Sequence, residues 1–309
     1  MTLTFSPIDL DRQTDYLALL AQCPQVASDY SFLNIWAWAE EYGLRWAWGE
    51  KLAWIKQTRP REALWAPVGP WDAVDWESVF SDTPAGPATF IRVPETLAGI
   101  WQARLGRRAL SETERGNWDY VYAVSDLVDL PGNRFHNKKN LLNQFVKSNA
   151  FTYIDFGPRL IEQAMAMQED WCAWRDCESS DLLSAENRAI LRIFDRWDRF
   201  DRVMGGALFV ENIIVAYTLA EPLTADTLVI HFEKGCPAYK GVYQAINQLF
   251  LARSAGGFRF VNREQDLDND GLRKAKLSYN PVEFLKKCKV TISDCEGGLR
   301  PRATSFRSR

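Results

Sequence analysis

The sequence predicts an α/β (α+β) protein of two domains, each built on a mixed, mainly antiparallel sheet flanked by helices. The chain has 309 residues, which exceeds one ordinary hydrophobic core and suggests two domains of about 150 residues each. Thirteen Trp and 17 Phe residues supply apolar surface for two cores. Both halves also present the same order of elements: helices, a three-stranded meander, a helix and a strand.

In the first half, apolar spacing and turn residues predict each element in turn. A helical stripe is formed by Tyr16, Leu17, Leu19 and Leu20, and SFLNIWAWAEEYG predicts a second helix. Three strands follow in LRWAWG, KLAWIKQ and ALWAPVG, then a helix in WDAVDWESVF and a strand in ATFIRVP. The Pro-Gly pair in LVDLPGNRF predicts a boundary, and therefore domains over 1–130 and 131–293.

The second half repeats this order. A helical stripe over 160–171 is interrupted by Gln168, and Ser184 is predicted to cap the next helix. The strands ALFV and IIVAYTLA are joined by Glu211-Asn212, and TLVIHFEKG follows them. Next come the helix VYQAINQLFLARSA, the strand FRFVNRE, a helix or strand in LRKAKLSY, and a helix start at Asn280-Pro281. Residues 294–309 are predicted to be a basic, disordered tail.

Composition excludes several classes of protein. The 37 basic and 40 acidic side chains give a net charge of −3, so no overall field favours nucleic acid or an anionic membrane. Neither a secretion signal nor an apolar run of about 18 residues is present, which predicts a cytoplasmic protein without an integral membrane segment. Six scattered cysteines predict reduced thiols, and only two histidines are present, so no metal site is expected. The DLDNDG segment has Leu277 where a calcium loop needs Glu.

The strand-like segment TLVIHFEKG ends in ionisable side chains. His231 and Glu233 lie two residues apart and would share one face of a strand. Such a pair can act as a general base and its orienting partner, although it can equally be a hydrogen-bonded structural unit. We expect Glu233 and His231 to be the catalytic candidates.

Polar residues also extend the next strand beyond its apolar part. Ligands bind beyond the carboxyl ends of strands in open α/β sheets, so both polar ends would line one crevice if these strands are neighbours. The alternative is a network of salt bridges that holds the strands in register. The residues of this second strand end are Asn262, Arg263, Glu264 and Asp266.

The turn between TLVIHFEKG and the following helix is a candidate anion site. Gly241 precedes a helix start, where unpaired N–H groups suit a phosphate or carboxylate, and Lys234 and Lys240 add positive charge. Val242 and Tyr243 open the helix. An ordinary strand-to-helix loop would have the same sequence.

Two basic clusters complete the candidate binding residues. Arg273, Lys274 and Lys276, followed by Ser278 and Tyr279, could hold an anionic substrate or form a solvated charge run. The positive charges of the second cluster lie at the start of the helix in NLLNQFVKSNA, where they oppose the helix dipole. An anionic partner such as tRNA would explain their presence there. The second cluster consists of Arg134, His136, Lys138 and Lys139.

Five segments together resemble a known family: SDYSFLNIWAW, LPGNRFHNKKNLLNQF, IHFEKG, KGVYQAINQLF and NREQDL…GLRKAKLSYNP. From about residue 28 to residue 290 the chain is similar to an uncharacterised soluble family related to the C-terminal catalytic domain of phosphatidylglycerol lysyltransferase. The Leu-Arg-x-x-Lys…Pro element of that domain is matched at Leu272, Arg273, Lys276 and Pro281. The resemblance implies two tandem GNAT-like (acyl-CoA N-acyltransferase-like) domains.

The resemblance leaves the donor open between acyl-CoA and aminoacyl-tRNA. The pyrophosphate-binding turn of simple GNAT enzymes, Gln/Arg-x-x-Gly-x-Gly/Ala, corresponds here to Ala238-x-x-Gly241-x-Tyr243, which departs from the pattern at both ends. Asp268 also stands where the family is expected to have Gly. Lysyltransferase relatives take an aminoacyl group from charged tRNA and carry a membrane-spanning half that this sequence lacks.

Two functional hypotheses follow. In the first, the protein is an acyltransferase or aminoacyltransferase that uses an amine or hydroxyl acceptor. Glu233 and His231 would take the proton, and Arg263, Arg273 and Lys276 would hold donor phosphate or stabilise an oxyanion. In the second, it is a non-catalytic binding protein for an anionic metabolite or tRNA. Neither hypothesis predicts an oligomeric state.

Overall fold

The computed structural model describes residues 3–81 and 87–293, which contain fourteen strands and eleven α-helices. The strands are β1 Ser6–Pro7, β2 Arg45–Trp48, β3 Ala53–Gln57, β4 Ala63–Trp65, β5 Ala88–Pro94, β6 Ala109–Thr113, β7 Asp119–Ala123, β8 Phe151–Asp155, β9 Met204–Val210, β10 Ile213–Pro222, β11 Thr227–Gly235, β12 Phe260–Asn262, β13 Glu283–Leu285 and β14 Lys287–Ile292. The helices are α1 Gln13–Leu20, α2 Phe32–Ala37, α3 Ala39–Tyr42, α4 Trp76–Ser81, α5 Glu95–Leu105, α6 Val124–Asp129, α7 His136–Ser148, α8 Ile161–Arg175, α9 Asp181–Asp195, α10 Val242–Ser254 and α11 Asp270–Leu277.

The strands form two mixed seven-stranded sheets with related topology. The first has the order β1-β2-β3-β4-β5-β14-β6 and the second β13-β7-β12-β11-β10-β9-β8. In each sheet an antiparallel meander, β2–β4 or β9–β11, is followed by a parallel strand, β5 or β12. The predicted α/β class and the repeated order of elements are confirmed.

Two strands cross the predicted boundary at residue 130. Strand β7 comes from the first half of the chain but lies inside the second sheet, and β14 comes from the second half but lies inside the first. The largest apolar cluster is likewise continuous between the halves, from Trp46 and Trp101 to Ile193 and Tyr217. The division into 1–130 and 131–293 stays a prediction, and the predicted tail 294–309 lies outside the described residues.

A buried polar cluster joins the two exchanged strands. Lys287 at the start of β14 has no exposed side-chain surface, and its ammonium lies 2.7 Å from Asp119 Oδ1 at the start of β7 and contacts Asp29 Oδ2. Burial would raise the pKa of Asp29, but the charges of Lys287 and Arg92 hold it below its ordinary value. Asp119 also accepts hydrogen bonds from Ser28 N at 2.8 Å and from Asn262 Nδ2 at 2.9 Å.

Three local predictions are corrected or decided by the structure. Helix α9 begins one turn before Ser184, and Ser180 Oγ accepts its capping bond from Leu183 N. Residues after Asn280-Pro281 form β13 instead of a helix, since Asn280 is left-handed with φ 52° and Val282 N bonds to β7. LRKAKLSY, left open between helix and strand, lies largely in α11, which is capped by Asn269.

The prediction that all cysteines are reduced is wrong at one pair. Cys172 and Cys177 form a disulfide across the turn between α8 and α9. Asp176 ends α8 in the left-handed conformation, with φ 50°, and the turn brings the two Cα atoms within 5.0 Å, inside the disulfide range. Among the described residues, Cys23, Cys236 and Cys288 are free thiols. Over the same residues, no helix has both the length and the apolarity needed to cross a membrane.

Candidate functional site

A cavity of about 740 Å³ opens where β11 and β12 separate. Their parallel pairing covers only Thr227–Val229 with Phe260–Asn262, although β11 continues to Gly235. The wedge between them is lined by 230–234 on one side and 263–267 on the other. The two strands are therefore neighbours and their polar ends line one crevice, and the alternative is present as well, since ion pairs join Glu233 to Arg263 and His231 to Glu264.

A bulge redirects His231 away from Glu233. In the β10–β11 register Leu219 pairs with Phe232 and Ala220 with Ile230, so His231 is an extra residue without a partner in β10. A bulge breaks the two-residue alternation of a strand and re-aims the side chain at that point. The pair predicted from the spacing of His231 and Glu233 does not form.

His231 lies instead between two carboxylates. Its Nδ1 is 2.8 Å from Glu264 Oε1 and its Nε2 is 3.2 Å from Glu221 Oε1, and its side chain is 1% exposed. Burial alone would lower the pKa of His231, but hydrogen bonds and the charges of Glu221 and Glu264 raise it to about 9. The imidazole is therefore protonated at neutral pH and holds Glu264 in place. In that state it has no lone pair with which to accept a proton.

Glu233 faces the cavity together with Arg263. Its Oε1 accepts from Arg263 Nη2 at 3.1 Å and its Oε2 from Asn247 Nδ2 at 3.0 Å. The Arg263 guanidinium lies 4.8 Å from the ring centroid of Tyr279. Its Nη1 is buried and has no hydrogen-bond partner among the residues that the structure describes.

Three lysines reach the cavity from three elements. Lys234 on β11 lies 2.5 Å from Glu186 Oε2 and 3.7 Å from the Trp171 ring, and burial lowers its pKa. Lys276 on α11 donates to the carbonyl oxygen of Arg263, and burial lowers its pKa to about 8. Burial also lowers the pKa of Lys138 on α7 to about 8.

The opposite wall of the cavity belongs to the first half of the chain and was not predicted. Arg92 has φ 55° at an irregular point of the β5–β14 register, contacts the Asp29 carboxylate, and lies 4.8 Å from the Trp65 ring and 5.3 Å from the Tyr42 ring. A non-glycine residue in this region stores backbone strain, which is common at functional sites. The sequence signals were an arginine inside the apolar strand ATFIRVP and the motif SDYSFLNIWAW, whose Asp29, Asn34 and Trp38 line the cavity.

The remaining predicted residues divide between the cavity and its surroundings. Of the predicted candidates, those that line the cavity are His231, Glu233, Lys234, Tyr243, Arg263, Glu264, Asp266, Lys276, Tyr279 and Lys138. Those outside the lining are Lys240, Gly241, Val242, Asn262, Arg273, Lys274, Ser278, Arg134, His136 and Lys139. Asn262 belongs to the buried cluster around Asp119, and Arg273 pairs with Asp266 at 2.8 Å.

Gly241 supports helix packing instead of facing the cavity. It has φ 86°, and an ideal Cβ at this position would lie 2.0 Å from the carbonyl oxygen of Leu141 on α7. The start of α10 is thus covered by α7. At the helix entrance, Gly241 itself therefore lies under α7, whereas Tyr243 and Gln244 in the first turn of α10 line the cavity.

Gly241→Ala is expected to lower the free energy of unfolding by about 1–3 kcal/mol, because it adds a clash and left-handed strain. Gly256→Ala is the matched control, since no atom lies within 4 Å of its ideal Cβ. Denaturant unfolding measures both variants. Equal stability of the two would contradict this account of Gly241.

The Asp266 carboxylate is engaged in ion pairs with arginine side chains. Burial would raise its pKa, but hydrogen bonds from Arg273 and Tyr120 lower the pKa to about 2. Over residues 3–81 and 87–293, no group of three His, Cys, Asp or Glu side chains is placed to hold a metal ion. The described lining of the cavity combines cations and carboxylates with aromatic and aliphatic side chains such as Trp38, Trp171 and Leu183.

The family model for the C-terminal region of phosphatidylglycerol lysyltransferase matches residues 20–290. The chain belongs to this family. The match covers the second sheet, the first sheet except β1 and the end of β14, and the whole cavity, and it confirms the resemblance found in the motifs. No match was found among the curated proteins.

Solved structures share the fold of this lysyltransferase-family chain. A conserved protein of unknown function from Bacteroides thetaiotaomicron VPI-5482 is 27% identical, with 94% of this chain and 100% of that chain covered and a TM-score of 0.86. The C-terminal domain of a protein described as a lysylphosphatidylglycerol synthetase from Agrobacterium fabrum is 14% identical, with coverages of 93% and 92% and a TM-score of 0.62. FemX is 8% identical, with coverages of 93% and 97% and a TM-score of 0.56. These structures share the α/β fold of two mixed seven-stranded sheets flanked by helices.

Proposed function

We propose that this protein transfers an aminoacyl group from an activated ester to an amine or hydroxyl acceptor inside the cavity between β11 and β12. The observation that carries the proposal is the convergence of a buried carboxylate, Glu233, with the cations Arg263 and Lys276 in one cavity. Membership of the lysyltransferase family supports the same class of reaction.

The proposed reaction is direct attack of the acceptor on the donor carbonyl carbon. The acceptor N–H or O–H loses its proton to Glu233 as the new bond forms. Each Glu233 oxygen accepts one hydrogen bond from the protein, so a lone pair remains available on each. The Lys276 ammonium stabilises the oxyanion, which then collapses as the donor oxygen leaves and takes the proton from Glu233.

An acceptor atom of Asn34 on the opposite wall, beside the Glu264 carboxylate, favours an aminoacyl donor over a simple acyl donor. Asn34 Nδ2 donates to Ser28 O at 3.1 Å and to Glu264 Oε1 at 3.0 Å, which sets the orientation of the amide. Its Oδ1 is buried and has no partner among the described residues. A hydrogen-bond acceptor beside the Glu264 carboxylate suits the ammonium group of an aminoacyl donor.

The helix entrance argues against acyl-CoA as the donor. In simple GNAT enzymes the pyrophosphate binds at this turn, but here α7 covers Gly241. A comparison of aminoacyl-tRNA and acetyl-CoA, each with small amine and hydroxyl acceptors, tests the proposal through release of the labelled group. Turnover of acetyl-CoA alone would overturn the aminoacyl assignment, and turnover of neither donor would favour a binding protein for an anionic metabolite.

The rate of transfer is expected to fall as pH rises through about 8. The folded-state pKa of Lys276 is about 8 because of burial, so its ammonium is present below that pH and lost above it. Lys276→Arg keeps the charge and should move the decline to higher pH. A pH–rate profile of both proteins measures this effect, and an unchanged decline in Lys276→Arg would assign it to another group, such as Lys138.

A further inference from the structure

Two cations converge on Tyr279, and a third lies beside them. Lys138 Nζ lies 3.9 Å from the centroid of the Tyr279 ring, and the Arg263 guanidinium lies 4.8 Å from it. The third is Lys276, whose ammonium donates to the backbone carbonyl oxygen of Arg263 and lies 5.7 Å from the centroid of the Tyr120 ring. Tyr279 and the three cations line the cavity.

The two lysines at this point have no direct ion pair with the described residues. Arg263 is paired with Glu233 at 3.1 Å, whereas no carboxylate lies within ion-pair distance of Lys138 or Lys276, although the charges of Glu264, Asp119 and Asp266 act on Lys276 at longer range. Both lysines have pKa values of about 8 and are therefore mainly charged at neutral pH. An unpaired charge in a largely buried place is costly unless a ligand of opposite charge pairs with it.

The guanidinium also has an unused donor. Arg263 Nη2 is engaged by Glu233, but Nη1 is buried and has no partner among residues 3–81 and 87–293. A buried donor without a partner typically costs about 1–3 kcal/mol. An oxyanion at the cavity end beside Tyr279 would satisfy this donor together with the two lysine ammonium groups.

We propose that Lys138, Arg263 and Lys276 form a subsite for the dianion of a phosphate monoester. A phosphate monoester carries a charge of about −1.5 to −2 at neutral pH and has three strong acceptor oxygens. These properties match two lysines without a direct ion pair and one unused guanidinium donor. A phosphodiester or a carboxylate carries only a single negative charge and would leave one lysine unpaired.

This subsite also changes the interpretation of the basic cluster at the start of α7. Lys138 is half-buried and faces the cavity, whereas Arg134, His136 and Lys139 are exposed and lie outside its lining. Arg134 is paired with Asp126 at 2.7 Å, and His136 lies 2.9 Å from the side-chain amide of Asn140. The cluster is therefore divided: of its four residues, Lys138 lines the cavity and the other three do not.

Calorimetric titration of the full chain, without any acyl donor, tests the subsite. The ligands are inorganic phosphate, glycerol phosphate as a monoester, dimethyl phosphate as a diester, and acetate, at constant ionic strength and neutral pH. We expect the diester and acetate to bind at least about tenfold more weakly than the monoester, because each carries one charge less. Equal affinity for monoester and diester would overturn the proposal.

Lys138→Ala and Lys139→Ala are matched variants, since the two lysines are adjacent on α7 and only the first lines the cavity. Lys138→Ala should raise the Kd for inorganic phosphate by about tenfold or more, the loss of one charge-assisted contact, and Lys139→Ala should leave it within about twofold. Circular dichroism is the check that both variants are folded.

An equal loss of phosphate affinity in both variants would indicate a diffuse effect of surface charge and would overturn the subsite. Absence of phosphate binding to the unmodified chain would also overturn it. The result is separable from the proposed reaction. A protein that transfers aminoacyl groups without binding phosphate overturns the subsite alone. A protein that binds the monoester through Lys138 and transfers nothing overturns the reaction alone.

Discussion

Replacement of Lys287 by methionine is expected to lower the free energy of unfolding by about 3–5 kcal/mol, the usual cost of breaking a buried ion pair from one side. The Lys287 ammonium lies between Asp29 and Asp119, and none of the three side chains is more than 2% exposed. Methionine has a similar volume but no charge. The two carboxylates would then lose their shared cation, with only Arg92 left to compensate Asp29.

The matched control for this variant lies two residues further along β14. Lys289 pairs with Glu112 at 3.3 Å, but the two side chains are 37% and 69% exposed. Exposed pairs contribute less than about 1 kcal/mol, so Lys289→Met should be nearly neutral. Urea unfolding of both variants makes the comparison. Similar stabilities would show that the Asp29–Lys287–Asp119 cluster contributes no more than a surface pair.

Glu233→Gln is expected to reduce kcat by about 10²–10⁴-fold, the usual contribution of a general base. Glutamine keeps an oxygen for Arg263, and the Asn247 amide can rotate to face the new NH₂ group, so the fold should be retained. What is lost is the charge that accepts the proton of the nucleophile. Single-turnover transfer from the donor identified by the assay above gives the chemical rate.

Glu186→Gln provides the corresponding control. Glu186 also lines the cavity and pairs with a buried cation, Lys234, at 2.5 Å, but it belongs to α9 and lies on another part of the wall. Its substitution should change kcat by less than about tenfold if only Glu233 handles the proton. Full activity of Glu233→Gln, or equal losses in the two variants, would remove Glu233 from the mechanism.

The elements that sequence reasoning predicted well are those whose signals are local. The alternating pattern of 204–235 lies within one three-stranded meander. The Glu211-Asn212 turn joins its first two strands, and both turn residues have the positive φ of a hairpin turn, 51° and 63°. Whether FRFVNRE neighbours TLVIHFEKG was left open by the sequence, and the two strands pair in parallel, as a helix between two strands favours. Adjacent strand ends could therefore be expected to share a crevice.

The parts that could not be predicted depend on contacts between distant segments. The bulge at His231 breaks the alternation on which its pairing with Glu233 was inferred, and nothing in HFEKG signals the extra residue. The left-handed Arg92 arises where β5 pairs with β14, almost two hundred residues later in the chain. The part of the cavity wall that the first half of the chain supplies therefore depends on tertiary structure and cannot be predicted from sequence periodicity.

The exchange of β7 and β14 has a consequence for how the gene can be divided. Each lies between two partners, β13 and β12 for β7, and β5 and β6 for β14. If the gene were cut at codon 130, each protein fragment would lack one inner strand of its sheet. The two strands that flank the missing one would then expose unpaired backbone N–H and C=O groups. Recombination that exchanges such halves between relatives would disrupt strand pairing in both sheets. The two sheets are therefore expected to be inherited together.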